Sequence, residues 1–458
     1  MVETARSSHP AGYEPGDPVS EMVLLATGGD VRELQRKLWV AAKRSPGRRF
    51  HALFDRVFRS DVLLEAWKRV QKNKGAAGVD AQTLVAVKEY GAERLLAELQ
   101  RDLREGSYRP RPVRRVLIPK PKGGVRPLGI PTVRDRIVQQ AARIVLEPIF
   151  EADFLEVSFG FRPRRSATDA KEVLRRSFVD GYRYVFEADI RDYFSSIDHE
   201  RLLGKVAERV SDRRVLKLIR QWLKAGVMDD GVLRQMTAGT PQGGVISPLL
   251  SNIYLHALDL AFADGAHGRL VRYADDFVVM CTSEAQAHAA GELARQVLAD
   301  LGLELHPEKT KVVDLTDGRE GFEFLGCHFH ARVSGKLLER GIRRYYLQRW
   351  PSQAAMKRLR QRIKMLTGRG RAGMDIREVI SRINPILRGW GNYFRTGNAA
   401  IRFNQIDWYV VGRLRGLMRK RYGRNLRRGQ LAVWTREWFE AHGLYRLRGT
   451  IRYPGLAS

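Results

Sequence analysis

Apolar residues in much of the chain recur every three to four positions, which is the spacing of a helix that buries one face. Over residues 31–70 this spacing predicts two helices. It predicts further helices over 92–104, 134–150, 247–262 and 285–301. Pro248 falls in the first turn of one of these helices, where a missing N–H costs little.

Short apolar runs between turn-forming residues predict strands. The predicted strands are 116–118 with a return strand after a turn at 121–124, then 184–190, two strands within 270–280, and 322–329. After about Leu337 the strand signals fade, and long helices rich in Arg are expected. This order predicts the α+β fold class, with an α+β body followed by an all-α module.

Two adjacent aspartates, Asp275 and Asp276, separate the two apolar strands within 270–280. A tight turn usually has Gly or Asn beside Asp, and a carboxylate buried without a counter-charge is costly. Asp189 ends the apolar strand 184–190 and supplies a third carboxylate. Three carboxylates can hold two Mg²⁺ ions, because Mg²⁺ prefers oxygen ligands. Two such ions about 3.5–4 Å apart can activate a hydroxyl group and stabilise a leaving pyrophosphate.

The charge of the chain is strongly positive and unevenly distributed. The chain carries 81 Lys and Arg against 51 Asp and Glu, a net charge of +30. Residues 341–458 hold 27 of the basic and 5 of the acidic residues, so 22 of the 30 net charges lie there. Nearly all of these basic residues are Arg, and aromatic residues are interleaved with them. Arg and aromatic rings together bind phosphates and unstacked bases, which predicts an RNA-binding segment.

Composition also excludes several classes of protein. Cys281 and Cys327 are the only cysteines and neither lies in a C-x-x-C pair, which excludes a disulfide scaffold and a cysteine-clustered zinc site. No apolar run approaches the roughly 20 residues that span a bilayer, and residues 1–20 lack the pattern of a secretory signal. We therefore expect a soluble intracellular protein whose polyanionic partner is nucleic acid.

A series of motifs in this order resembles the group II intron reverse transcriptases, or intron-encoded maturases, of bacteria. The resemblance runs from about Val31 to about Asn425. The matching motifs are NKGAAGVD (73–80), RRVLIPKPKGGVRPLGIP (114–131), FGFRP (159–163), ADIRDYF (188–194), GTPQGGVISPLLSNI (239–253), RYADDF (272–277), FLG (324–326) and RGWGNYF (388–394). The last motif resembles the maturase thumb and separates this family from other bacterial reverse transcriptases.

The resemblance implies a right-hand polymerase, with fingers and palm on an antiparallel sheet and a helical thumb. The expected divisions are a loose leader (1–30), fingers with an N-terminal extension (31–175), a palm (176–336), a helical thumb or maturase domain (337–425) and a short basic DNA-binding-like tail (426–458). Many family members carry a C-terminal nuclease with clustered Cys and His, whereas no cysteine follows Cys327 here. We expect this nuclease to be missing, so that synthesis uses an existing DNA 3′ end.

The resemblance also implies roles for individual residues. Asp189, Asp275 and Asp276 are expected to be catalytic and, with Ile190, to bind two Mg²⁺ ions, for which Mn²⁺ can substitute. The expected contacts to the incoming nucleotide are Lys120, Arg126, Phe194 and Gln242, with Phe194 excluding a 2′-hydroxyl group. The expected contacts to template and primer are Arg162, Phe324, Leu325 and Gly326. The expected RNA contacts of the thumb are Arg388, Trp390, Asn392 and Tyr393.

The expected function is RNA-directed DNA synthesis by an enzyme that also binds its intron RNA, assists splicing and copies the intron into DNA during retrohoming. The expected partners are group II intron RNA, an RNA template with a DNA primer, target DNA and dNTPs, without a membrane. The expected location is the bacterial cytoplasm, in a nucleoid-associated ribonucleoprotein. Two alternatives stay open. One is an RNA-binding maturase with a vestigial polymerase, and the other is a reverse transcriptase recruited to defence or repair.

Overall fold

A computed structural model of the protein describes residues 29–119, 125–229, 232–234, 239, 243–333, 335–423 and 429–453. These residues form two compact units. The first unit contains residues up to 118 together with 126–154 and 197–253, and the second contains 155–196 and the residues from 254 onward. Among the helices of the described ranges, none is both long enough and apolar enough to cross a bilayer.

The helices and strands follow one another in the mixed order that the α+β prediction requires. The first part of the chain contains α1 (Gly29–Arg44), α2 (Phe54–Val57), α3 (Ser60–Lys72), α4 (Leu84–Tyr90), α5 (Ala92–Glu105), β1 (Val113–Pro119), β2 (Val125–Ile130), α6 (Val133–Glu151), α7 (Ala167–Val179), β3 (Tyr184–Asp189), α8 (Tyr193–Ser196), α9 (His199–Ala207), α10 (Arg213–Lys224), β4 (Val227–Asp229) and β5 (Val232–Arg234).

The second part contains α11 (Ser247–Ala261), β6 (Arg269–Tyr273), β7 (Asp276–Cys281), α12 (Glu284–Asp300), β8 (Lys311–Asp314), β9 (Gly321–Phe324), β10 (Cys327–Val333), α13 (Gly335–Leu338), β11 (Tyr345–Pro351), α14 (Gln353–Leu366), α15 (Ile376–Phe394), α16 (Ala400–Tyr422), α17 (Gln430–Val433) and α18 (Arg436–Ala441). Two 3₁₀ turns, Pro307–Lys309 and Arg369–Arg371, interrupt this succession.

The first unit is built around α6, whose apolar side chains are buried against α1 and α3. Thr132 starts this helix, because its side chain accepts a hydrogen bond from the Asp135 N–H at 3.1 Å. The strands of this unit form a sheet in the order β2–β1–β4–β5. The predicted hairpin of β1 and β2 is confirmed, although its turn at 120–124 lies outside the described residues.

The second unit begins with an antiparallel sheet in the order β6–β7–β3–β8. Helix α12 covers one face of this sheet. Gly291 allows the close approach of the helix, because a Cβ at this position would lie 2.8 Å from the Phe186 ring. The opposite face contributes Val185 and Val278 to a hydrophobic core that α7 also enters through Leu174. The two strands predicted around the acidic turn are thus confirmed as β6 and β7.

A second sheet of this unit, β9–β10–β11, was only partly predicted. The single strand expected over 322–329 is wrong, because Leu325 and Gly326 both have positive φ angles and turn the chain back as a hairpin. The expectation that strands end near Leu337 is also wrong, because β11 pairs along its whole length with β10. The strand signal of β11 is obscured by Arg349, a charged residue at an inward-facing position.

Arg349 is buried because it joins three parts of the second unit. Its guanidinium group forms an ion pair with Glu172 of α7 at 3.3 Å and donates to the carbonyl of Lys171 at 3.1 Å. It also donates to the carbonyl of Thr396, which follows α15, at 3.0 Å. Removing one partner from such a buried pair leaves an uncompensated charge. Arg349 therefore fixes the β11 strand between α7 and the C-terminal helices.

The helices from α14 onward share one hydrophobic core with the strands before them. Buried residues of α14, α15 and α16, such as Leu359, Ile383 and Phe403, belong to the same cluster as Phe329 of β10. Ser352 starts α14 by accepting a hydrogen bond from the Ala355 N–H at 3.2 Å. The prediction of a helical, Arg-rich C-terminal region is confirmed by α14, α15 and α16.

The described part of the predicted tail, residues 429–453, packs on these helices. Leu447 is completely buried in the shared core. Asp407 of α16 accepts hydrogen bonds from the N–H groups of Leu447 and Arg448, at 3.0 and 2.9 Å. Asn384 of α15 donates to the carbonyl of Gly443 at 2.8 Å. These contacts make residues 443–448 a part of the helical core.

We expect replacement of Leu447 by Ala to lower the free energy of unfolding by about 2–4 kcal/mol, because it removes a fully buried side chain and leaves a cavity. Chemical denaturation followed by circular dichroism measures this change. The control is Val433→Ala, since Val433 is exposed. Equal effects of the two substitutions would contradict the packing described for the tail.

Candidate active site

The acidic turn is a tight hairpin between β6 and β7. Tyr273 pairs with Asp276, so Ala274 and Asp275 form the turn itself. Ala274 has a φ of +60°, a left-handed conformation that residues with a side chain adopt at a cost. Gly160 packs directly against it, because a Cβ on Gly160 would lie 2.3 Å from the Ala274 nitrogen. The FGFRP motif therefore contains a glycine because the turn occupies the space of its side chain.

The strand register brings the predicted carboxylates together. Asp189, the last residue of β3, lies directly opposite Asp276, the first residue of β7. Asp275 is the neighbouring residue in the turn. Ile190 forms an isolated bridge with Leu305, in which the flanking residues make the hydrogen bonds. The antiparallel pattern therefore directs the Ile190 carbonyl away from Leu305 and toward the side of β7.

The carboxylate of Asp276 lies in a strongly negative environment. Burial raises the pKa of Asp276 to about 7, and neighbouring carboxylates add to the shift. These carboxylates belong to Asp275, Asp189 and Glu187. A hydrogen bond from the backbone N–H of Leu325 acts in the opposite direction. The surroundings of Asp276 therefore oppose its ionisation.

A lysine lies against one of these carboxylates. Lys309, in the 3₁₀ turn before β8, forms an ion pair and hydrogen bond with Asp189. In this arrangement, the His, Cys, Asp and Glu side chains of the described residues form no three-membered cluster positioned to hold a metal ion. The donor atoms are nevertheless oxygens of the kind that divalent cations prefer, and Asp276 carries the repulsion that a cation relieves. These residues therefore have the donor chemistry that a divalent cation requires.

A fully buried arginine, Arg272, hydrogen-bonds to the backbone of the acidic turn. Arg272 of β6 forms a two-pronged ion pair with Asp259 of α11, at 2.6 and 2.5 Å. Its guanidinium group also donates to the carbonyl of Ala274 at 2.9 Å and to the hydroxyl of Ser158 at 2.8 Å. Arg272 thereby connects the turn to α11 and to the loop before Gly160. Sequence reasoning missed this role, because Asp259 is thirteen residues away in an apolar helix.

The residues expected at the nucleotide are only partly described. Lys120 and Gln242 lie outside the described residues, as does the side chain of Arg126. Phe194 lies in α8, half-buried, with its ring 5.0 Å from that of Tyr193. Arg162 is buried and donates to the backbone carbonyls of Leu155 and Ser158. In this arrangement Arg162 braces the loop that precedes it.

The turn of the FLG motif lies beside the acidic turn. The Leu325 N–H bonds the Asp276 carboxylate, and the Leu325 carbonyl accepts a hydrogen bond from the Tyr393 hydroxyl at 2.9 Å. Phe324 is buried in the core. Gly326 takes a φ of +71°, in the left-handed region that glycine enters without strain. Leu325, one of the predicted template and primer residues, thus joins the acidic turn to α15.

A groove opens next to the FLG turn, between α14 and α15. Its lining includes Leu325, Gly326, Arg358, Arg362, Trp390 and Tyr393. The Trp390 ring packs on Phe394 and Phe403, while Arg388 lies over the Tyr445 ring at 5.2 Å. Asn392 is exposed. Of the residues predicted for RNA binding by the thumb, Trp390 and Tyr393 line this groove.

Tyr393 is held in place by a buried lysine that sequence reasoning also missed. The Lys171 ammonium group of α7 lies 4.1 Å from the centre of the Tyr393 ring. Burial lowers the pKa of Lys171. A lysine at a helical position in the sequence looks like a surface residue. Its burial follows only from the packing of α7 beneath β11 and α15.

Comparison with known proteins agrees with this geometry. The model for the reverse transcriptase (RNA-dependent DNA polymerase) matches residues 118–329, and the model for the group II intron maturase-specific domain matches residues 356–434. The chain is 38% identical to Protein YkfC of Escherichia coli (strain K12) over 339 residues, which cover 65% of this chain and 87% of YkfC. The chain belongs to the group II intron reverse transcriptase and maturase family.

Other members of this family align over shorter regions. The Group II intron-encoded protein LtrA of Lactococcus lactis subsp. cremoris is 40% identical over 213 residues, which cover 46% of this chain and 35% of LtrA. The Putative COX1/OXI3 intron 1 protein of Saccharomyces cerevisiae is 33% identical over 202 residues, which cover 43% of this chain and 24% of that protein. The match spans about a third of LtrA, so the similarity applies only to the 213 aligned residues.

These matches confirm the main predictions from the sequence. The protein is an RNA-directed DNA polymerase with an α+β body, and it carries the maturase-specific domain of group II intron proteins. Polymerases of this class use divalent metal ions. Nucleic acid, including group II intron RNA, is the partner class of this family. The acidic turn and the FLG turn both lie within the reverse transcriptase region.

We expect Gly160→Ala to reduce DNA synthesis by about a hundredfold, because the new Cβ would displace the backbone of the acidic turn and misplace its carboxylates. Primer extension on an RNA template measures the effect. The control is Gly204→Ala in α9, where a Cβ meets no atom within 4 Å. Full activity of Gly160→Ala would mean that the turn tolerates displacement.

We expect Arg272→Lys to raise the divalent metal concentration needed for half-maximal synthesis and to lower kcat about tenfold. Lysine keeps the charge opposite Asp259 but cannot make the fork of hydrogen bonds that supports the turn. The measurements are metal titrations of primer extension at a temperature where circular dichroism shows the variant to be folded.

Arg269→Lys is the control for this prediction, since Arg269 lies on the same strand with an exposed ion pair to Asp180. A purely structural role of Arg272 would lower the melting temperature and leave the metal requirement unchanged. That result would exclude a positioning role for Arg272.

Proposed function

We propose that the protein copies RNA into DNA by a nucleotidyl transfer that depends on two Mg²⁺ ions held by Asp189, Ile190, Asp275 and Asp276. The observation that carries this proposal is the strand register, which places Asp189 opposite Asp276 with Asp275 at the adjoining turn. When bound, the ions activate the primer 3′-hydroxyl group and stabilise the charge that develops on the leaving pyrophosphate. Mn²⁺ is the proposed substitute.

The protein's own residues prepare this site in two ways. Arg272 and Gly160 hold the acidic turn in its left-handed conformation, so that Asp275 and Asp276 stay close despite their repulsion. Lys309 balances the charge of Asp189 in the absence of a metal ion. The carboxyl groups are therefore held close together by the fold, and a bound cation would replace Lys309 as the positive charge beside Asp189.

The FLG turn is the proposed support of the primer end. Phe324, Leu325 and Gly326 lie next to Asp276, to which the Leu325 N–H donates. The adjacent groove presents Arg358 and Arg362 beside Trp390, a combination suited to the phosphates and sugars of a duplex leaving the site. A primer bound along this groove would reach the carboxylates at its 3′ end.

The remaining nucleic-acid and nucleotide contacts follow the family pattern. Lys120, Arg126 and Gln242 are proposed to bind the triphosphate and sugar of an incoming dNTP, with Phe194 selecting against a 2′-hydroxyl group. Arg162 is proposed to act near the template through the loop that it braces. Arg388, Trp390, Asn392 and Tyr393 are proposed to contact RNA, and the Arg-rich C-terminal region supports this assignment through its charge.

The biological setting proposed is a group II intron whose RNA the protein binds, helps to splice and copies into target DNA. The maturase-specific match supports this setting over a polymerase without an intron partner. A vestigial polymerase is disfavoured, because the three aspartates, Arg272 and Gly160 form one connected arrangement. Recruitment to defence or repair would use the same chemistry. The proposed location is a ribonucleoprotein in the bacterial cytoplasm.

We expect Asp276→Asn to reduce DNA synthesis on an RNA template at least about a hundredfold, because a proposed metal-binding carboxylate is lost. RNA binding, measured by filter retention, should change less than about twofold. The control is Asp192→Asn, because Asp192 is exposed and lies three residues after Asp189.

One outcome would contradict the proposal, and a second would show that the variant is misfolded. Retained synthesis by Asp276→Asn would remove this residue from the metal site. Loss of RNA binding together with synthesis would indicate that the substitution disturbs the fold.

A further inference from the structure

Three different elements hold the backbone of the FLG turn. The Leu325 N–H donates to the Asp276 carboxylate of β7, and the Leu325 carbonyl accepts a hydrogen bond from the Tyr393 hydroxyl of α15 at 2.9 Å. The Gly326 carbonyl accepts a hydrogen bond from the N–H of Ser352, just before α14, at 2.9 Å. The position of the turn, and with it the donor to Asp276, therefore depends on the helices that follow.

Leu325 needs this support because its backbone conformation is unfavourable. Its φ is +49°, in the left-handed region that residues with a side chain adopt at a cost. Such a conformation persists where the surrounding structure holds it. The N–H and the carbonyl of Leu325 belong to the two peptide groups on either side of its Cα atom. The bonds to Asp276 and Tyr393 therefore hold both of its backbone dihedral angles.

The Tyr393 hydroxyl is a fixed donor. The buried Lys171 ammonium group lies 4.1 Å from the centre of the Tyr393 ring and donates to the Tyr393 backbone carbonyl at 3.4 Å. The Phe394 ring meets the Tyr393 ring edge-on at 4.8 Å. Burial raises the pKa of Tyr393, and the nearby Asp276 carboxylate adds to this shift. The hydroxyl group therefore keeps its proton and can donate it to Leu325.

We propose that Tyr393 is a positioning residue of the polymerase reaction: its hydroxyl group fixes the Leu325 peptide, and that peptide orients the Asp276 carboxylate toward a divalent cation. Carboxylates that bind metal ions are commonly oriented by hydrogen bonds from groups that do not touch the metal, and these groups influence metal affinity. The Leu325 N–H is such a group. Tyr393 acts one step further away, because without its hydroxyl the Leu325 peptide can rotate and carry its N–H away from Asp276.

This inference rests on the proposed metal-binding role of Asp276 and goes beyond the proposed RNA contact of Tyr393. An RNA contact would use the exposed part of the ring, since 39% of Tyr393 is exposed. Positioning uses the hydroxyl group, which is bonded within the protein. The substitution Tyr393→Phe removes the hydroxyl and keeps the ring, so it separates the two roles.

The test measures Mn²⁺ binding to the full chain in the absence of nucleic acid and nucleotide. Electron paramagnetic resonance reports free Mn²⁺, and Asp276→Asn identifies which part of the bound Mn²⁺ belongs to the polymerase site. The matched control for Tyr393→Phe is Tyr409→Phe. The Tyr409 hydroxyl of α16 also donates to a backbone carbonyl, that of Arg360 in α14, at 3.1 Å. Melting temperatures from circular dichroism show whether the two variants are equally stable.

We expect Tyr393→Phe to weaken Mn²⁺ binding at the polymerase site by roughly three- to tenfold, the factor that the loss of one hydrogen bond produces. Tyr409→Phe should change this affinity less than about twofold. In primer extension, Tyr393→Phe should raise the Mg²⁺ concentration for half-maximal synthesis by a similar factor. The Kd of the template–primer duplex, measured by fluorescence anisotropy, should change less than about twofold, because the ring remains.

The results separate failure of this inference from failure of the proposed function. Unchanged Mn²⁺ binding by Tyr393→Phe, with a loss in Asp276→Asn, would overturn the positioning role and leave the metal site intact. Equal losses in Tyr393→Phe and Tyr409→Phe would indicate general loosening of the helices and would also overturn it. Unchanged Mn²⁺ binding by Asp276→Asn would remove Asp276 from the metal site, and the inference would fail together with that assignment.

Discussion

The repulsion among carboxylates at the acidic turn is the constraint on which the second unit depends. Asp276 has its pKa raised to about 7 because burial and neighbouring carboxylates oppose its ionisation. Such an arrangement persists only if the surrounding structure holds it. Arg272, which is buried and paired with Asp259, donates a hydrogen bond to the Ala274 carbonyl of the turn. Gly160 has no side chain, so the turn can pack directly against its backbone. The fold thus holds together carboxyl groups that oppose one another's ionisation.

The same contacts connect the acidic turn to the helices that follow. Leu325 bonds Asp276 through its N–H and Tyr393 through its carbonyl. Tyr393 rests on Lys171, which is buried beside the Arg349–Glu172 pair. A continuous series of polar contacts therefore runs from Asp276 through Leu325 to Tyr393 of α15. The strands that flank the acidic turn and the C-terminal helices contribute side chains to one hydrophobic core within this unit.

The positive charge of the chain has a specific distribution over this body. Most of it lies after residue 340, where Arg and aromatic residues alternate along β11 and the helices. Some arginines, such as Arg349, balance buried carboxylates and serve the fold. Others, such as Arg332 and Arg344, lie over half-buried aromatic rings and form no ion pair among the described residues. Charge alone therefore does not separate arginines that balance buried carboxylates from arginines without such a partner.

The sequence by itself determined the fold class, most helices, the carboxylates and the family. Those features are local: the apolar period of α6, the charged turn between two apolar strands, and motifs such as RYADDF can be read within a few residues. Only the tertiary structure decided that β11 is a strand and that the tail packs through Leu447. It also decided that Arg272, Lys309 and Lys171 contact the acidic turn, Asp189 and Tyr393, respectively. Each of these depends on a partner distant in the chain, and a charged residue looks the same in the sequence whether its partner is a buried carboxylate or water.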